Sequence, residues 1–106
     1  MANFGKFTQL ALESKIAAIN DILDYLDDNE IKHREVFLDL LQVVFATFVN
    51  LDQRTLSDDM GFSYGRVRSW ARGQSAPHPV LFETIVNWVK KALFAKRKEL
   101  RLMLAV

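Results

Sequence analysis

Residues that interrupt regular structure are almost confined to one window of this chain. The sequence has four glycines and two prolines, and Gly61, Gly65, Gly73, Pro77 and Pro79 fall within 19 residues of one another. On either side lie long unbroken stretches in which apolar residues recur at intervals of three and four. That is the period of a helix with one buried stripe. The pattern predicts an all-α chain of about five helices and no strands. At 106 residues it has the size of a single domain with one hydrophobic core.

The first helix is expected from about Phe7 to Asp27, with Leu12, Ile16, Ile19, Leu23 and Leu26 in one stripe and Tyr25 beside it. Asp27, Asp28 and Asn29 form a polar break, because acid at a helix C-terminus opposes the dipole. A second helix is expected from about Arg34 to Val49. Val36, Phe37, Leu40, Leu41, Val44, Phe45 and Phe48 make it apolar almost all round, which predicts a central buried helix. Two short helices follow, about Gln53 to Met60 and about Tyr64 to Arg72. A last long helix starts near Pro79, a good first-turn residue, and continues past Leu100. Its stripe is Leu81, Ile85, Trp88, Val89, Ala92 and Leu93. Residues 1–33 thus read as an N-terminal helical extension, and 34–106 as a core with a C-terminal helix.

The segment from Leu51 to Pro77 carries the most specific pattern. Asp52 suits an N-cap, since its carboxylate can accept from free amides of the next turn. Leu56 and Met60 give the short helix an inner face, and Ser57 is small where two helices must approach closely. Gly61 supplies the left-handed residue that closes the helix. Phe62 turns back to the core, and Ser63 caps the next helix. From there Val67 and Trp70 face inward, while Tyr64, Arg68 and Arg72 share an outward stripe with Gly65 and Ser69 beside them. Such a face suits groove reading: arginine forks match guanine, Tyr and Ser offer hydrogen bonds, and Gly lets the backbone sit close. Arg66 lies toward the flank, where phosphate is the natural partner. The arrangement predicts a helix-turn-helix, which places its second helix in the major groove of DNA.

The segment resembles the helix-turn-helix of the Cro and lambda-type repressor family, the XRE family. The resemblance rests on Leu51, Asp52, Gln53; Leu56, Ser57; Met60, Gly61, Phe62, Ser63; Val67, Trp70; and Arg72, Gly73, without a gap over about 23 residues. Pro77 stands where the family often has proline. The resemblance implies a lambda-repressor-like core. It also implies base-reading positions at Tyr64, Gly65, Arg68 and Ser69, a phosphate contact at Gln53, and backbone contacts from Arg66, Arg72, Gln74 and Ser75. Members usually bind two-fold-symmetric operators as dimers. This chain differs in having some 35 residues before the helix that would open the family's domain, in Asp58 and Asp59 on the first short helix, and in a longer final helix.

Charge agrees with a polyanionic partner for the second half. The net charge of +1 conceals a balance of −5 over residues 1–53 and +6 over residues 54–106. The basic stretch from Ala95 to Arg101, with Leu93, Leu100, Met103 and Leu104, suits packing or a dimer seam. Half the residues are apolar and a quarter charged, which is globular rather than disordered composition. There is no cysteine, and His33 and His78 lie far apart, so no metal and no cofactor are expected. His78, between two prolines, reads as a rigid turn. No nucleophile triad, phosphate loop or paired-carboxylate signature stands out, so the chain is not expected to be an enzyme. The densest apolar stretch, Val36 to Leu51, is interrupted by Asp39, Gln42, Thr47 and Asn50 and falls short of the roughly 20 residues that span a bilayer. The first 15 residues carry Glu13 and no small-residue cleavage site, unlike a signal peptide.

The reading is therefore a small dimeric regulator, most simply a repressor, that binds double-stranded DNA in the cytoplasm of a bacterium or phage-infected cell. The alternative is an antitoxin-like or adaptor module on the same scaffold, with the acidic N-terminal half holding a basic protein partner. RNA binding is a third reading, without an RNA-specific motif behind it.

Overall fold

The computed structural model describes residues 4–105. Five α-helices follow one another: α1 (Phe4–Asp28), α2 (Arg34–Phe45), α3 (Gln53–Met60), α4 (Tyr64–Ala71) and α5 (Phe82–Leu104). A single 3-10 turn, Pro79–Leu81, leads into α5, and no strand occurs among the described residues. The chain is all-α, as its periodicity predicts.

α1 and α5 lie antiparallel along each other. Arg97 Nη1 donates to Asn20 Oδ1 at 2.8 Å, and Lys90 Nζ lies 3.5 Å from Asp27 Oδ1 about two helical turns further along. The pair is held chiefly by burial, because an exposed ion pair contributes at most about 1 kcal/mol. Ile19, Leu23 and Leu26 of α1 belong to the same buried cluster as Phe37, Leu41, Leu56, Val67, Ile85, Val89 and Leu93. The N-terminal helix is thus part of the core that carries α3 and α4. Phe37 and Phe82 stack at its centre with ring centroids 4.2 Å apart. α1 ends where Asn29 Nδ2 donates to the Tyr25 carbonyl at 2.9 Å, taking up one of the free acceptors of the last turn.

The second helix departs from expectation in two ways. It stops at Phe45 rather than Val49: Ala46 is extended, Asn50 is left-handed at φ +61°, and Leu51 N–H donates back to the Val44 carbonyl at 2.9 Å. The apolar run continues because this return buries Val49 and Leu51, not because the helix does. Nor is α2 buried all round. Phe37, Leu38, Leu41 and Val44 face the core, while Val43 and, in the return, Phe48 are exposed.

The smaller differences are at ends. α1 begins at Phe4 and α4 closes at Ala71, one residue before the expected Arg72. His78 serves as the rigid entry to the last helix, its Nδ1 accepting from the Val80 amide at 3.1 Å.

Candidate nucleic-acid interface

α3 and α4 are fixed by their own caps. Asp52 Oδ1 accepts from the Arg54 amide at 3.0 Å and Oδ2 from the Thr55 hydroxyl at 2.9 Å. Gly61 closes α3 in the left-handed region at φ +72°, with its amide donating to the Ser57 carbonyl. Ser63 Oγ then accepts from the Arg66 amide at 3.3 Å and starts α4. The turn between them is tied from inside. Ser57, only 6% exposed, donates from Oγ to the Phe62 carbonyl at 2.7 Å. Phe62 meets Trp70 edge to face at 5.1 Å. Leu56, Val67 and Trp70 are buried, so the inner half of this unit is accounted for by packing.

The outer half is a cluster of cations. Arg54, Arg66, Arg68 and Arg72 are all exposed, and none lies within ion-pair distance of a carboxylate among the described residues. Asp59, which the sequence places close to them, is turned the other way: its Oδ2 accepts from Trp88 Nε1 of α5 at 2.8 Å. That bond fastens α3 to the last helix and directs a carboxylate away from the arginines. Asp58 is exposed.

The other expected positions sort as follows. Gly65 is exposed, and a Cβ built there would meet nothing within 4 Å, so nothing within the chain demands glycine. Tyr64 is half-buried with the Arg54 guanidinium 4.2 Å above its ring centre. Gln53 is half-buried with Oε1 out of solvent and without a hydrogen-bond partner. Ser69 and Ser75 hydroxyls are 2.7 Å apart and bond each other, tying the loop after α4 to the helix itself. In that loop Gly73 has φ +72°, and a Cβ there would run into the Gln42 side chain of α2. Gln74 is exposed, its amide donating to the Ser69 carbonyl at 3.0 Å.

Arg54 is the residue that sequence reasoning missed. Helical spacing within α3 does not reveal it, because its partner, Tyr64, belongs to the next helix. The one available signal is that Arg54 follows Gln53 directly.

No family model matches the chain, and no curated protein or solved structure matches it. No described helix is long and apolar enough to cross a membrane, and no three His, Asp or Glu side chains among the described residues are grouped to hold a metal ion.

Proposed function

We propose that this chain binds double-stranded DNA with sequence preference, α4 entering the major groove in the manner of a lambda-repressor-like helix-turn-helix, and that it acts as a transcriptional regulator. The observation that carries the reading is the unpaired arginine cluster on the outer face of a two-helix unit whose inner face packing explains. Arg54, Arg66 and Arg72 supply phosphate neutralisation and counterion release. Arg68, Tyr64 and Gly65 meet base edges, with Gly65 admitting close approach. Gln53, with its carbonyl oxygen turned inward, has its amide nitrogen for a phosphate, and Gln74 and Ser75 flank the backbone.

Selection of duplex DNA from a random pool by the purified protein tests this, followed by the affinity of the winner as a function of salt. A defined enriched sequence with a steep salt slope supports the reading. A pool that stays random sinks it and favours a protein-interaction module on this scaffold. Arg68→Ala is expected to lose about 1–3 kcal/mol on the preferred site and to relax choice at one base pair. Equal losses on all sequences remove Arg68 from base reading.

A further inference from the structure

α1 carries two apolar faces. One is the core stripe. The other holds Phe4, Phe7, Ala11 and Tyr25, all exposed, and the half-buried Ala18 and Ile22, the latter also packed against the core, again at helical spacing with Ser14 at the middle. At its C-terminal end this face opens into a groove of about 330 Å³ between α1 and α2. The groove is almost wholly apolar, lined by Ile22, Tyr25, Val36, Leu40 and Val43, with Asp21 and Asp39 at its edge. At its N-terminal end the face runs past α5. The antiparallel pairing that sets Arg97 beside Asn20 brings Leu104, the end of α5, level with Glu13, since both helices rise about 1.5 Å per residue. Phe4 and Phe7 beyond that point are 73% and 65% exposed, and Tyr25 and Val43 at the groove are 49% and 50% exposed.

We propose that this face is where two copies of the chain meet, α1 packing antiparallel on the α1 of a second copy with Phe4 and Phe7 of each seated in the α1–α2 groove of the other. The pattern is its own complement. About the Ser14–Lys15 peptide, Ala11 is placed opposite Ala18, Phe7 opposite Ile22, and Phe4 opposite Tyr25. Large apolar residues therefore meet at both ends, and small ones meet at the centre, where two helix axes approach most closely. Charge agrees with the same register. Lys6 and Asp24 are five whole turns apart, at about 3.6 residues per turn, so they lie on the same flank of α1. A two-fold axis sets the Lys6 of each copy level with the Asp24 of the other, outside the contact stripe, where opposite charges attract across solvent. Covering the exposed parts of Phe4, Phe7, Tyr25 and Val43 in both copies removes on the order of 900 Å² from water, and the alanines, Ile22 and stems of flanking side chains bring this to the low end of specific interfaces. The contact stands on α1 and α2 alone and does not rest on the DNA reading.

Sedimentation velocity on the full chain should show a species of twice 12.2 kDa at micromolar concentration. Phe7→Glu should weaken it by at least about 30-fold, since an aromatic anchor is lost at each end of the contact, with far-UV circular dichroism unchanged. Because the chain has no cysteine, polarity can be read directly. Ser14→Cys should oxidise to a covalent dimer, and Ala11→Cys should cross-link to Ala18→Cys in a mixture but not to itself. A wild-type monomer throughout, a dimer indifferent to Phe7→Glu, or self-cross-linking of Ala11→Cys overturns the proposal. Phe7→Glu leaves the arginine face untouched, so the monomer should keep its salt-dependent affinity for duplex DNA after self-association is lost, and failure of the one does not imply failure of the other.

Discussion

Replacing Ser57 separates two roles that one small side chain combines. Its volume lets α3 and α4 approach, and its hydroxyl donates to the Phe62 carbonyl at 2.7 Å in a site 6% exposed. Ser57→Ala keeps the volume and removes the bond. Leaving a part-buried carbonyl without its donor costs about 1–3 kcal/mol, and the better helix propensity of alanine returns about 0.5 kcal/mol. The net loss is about 0.5–2.5 kcal/mol. Ser57→Val loses the bond as well and adds a methyl group where there is no room, a further 1–3 kcal/mol or so. For a domain of this length 1 kcal/mol moves Tm by roughly 4 °C, so the two variants should melt in the order wild type, Ala, Val with resolvable gaps. Urea unfolding at constant m-value gives the same comparison at one temperature. Should Ser57→Ala equal wild type while Ser57→Val is destabilised, only volume matters there and the hydrogen-bond argument is wrong. If both are neutral, the close approach of α3 and α4 at Ser57 is wrong as well.

Other outcomes follow from single contacts. Arg54→Ala should cost little stability, about 0.5–1 kcal/mol for an exposed cation over the Tyr64 ring, and should lower the slope of log affinity for DNA against log salt by about one. A slope equal to wild type would place Arg54 outside the interface. Trp88→Phe and Asp59→Ala each remove the link between α5 and α3, and a double-mutant cycle by thermal unfolding should return a coupling of about 0.5–1.5 kcal/mol. Strict additivity would mean that the bond holds nothing. Gly61→Ala meets open space, so its cost is that of the left-handed backbone, about 1–2 kcal/mol; Gly61→Asn should cost clearly less by the same urea titration.

The sequence discloses elements whose pattern is local. α3 and α4 were legible almost to the residue because Asp52, Gly61 and Ser63 announce their ends by side-chain chemistry alone. The end of α2 was not. Val49 and Leu51 are buried by a return of the chain, and apolar residues in such a return look the same as those continuing a helix. The second face of α1 was hidden for a different reason. Phe4 and Phe7 lie at the start of a helix already explained by one stripe, and only the position of α5 shows that they are left uncovered. At the candidate interface the outward positions were readable from period alone. What those side chains do among themselves was not, because Arg54 over Tyr64 and Asp59 on Trp88 both cross between helices.

The hydroxyl pair of Ser69 and Ser75 has a consequence for selectivity under the proposed reading. A side chain that waits unsatisfied gains a whole hydrogen bond from the right base and loses it with the wrong one. The bond to Ser75 takes up only one of the roles of the Ser69 hydroxyl, which has one donor and two acceptor sites, so a base meets Ser69 only in the roles which that bond leaves. A base that competes for the role Ser75 occupies gains only the difference between two similar bonds, and it releases the loop that Gln74 and Ser75 occupy. Ser69 can therefore discriminate only through the roles that Ser75 leaves it, while Arg68 gives up nothing inside the chain in order to choose.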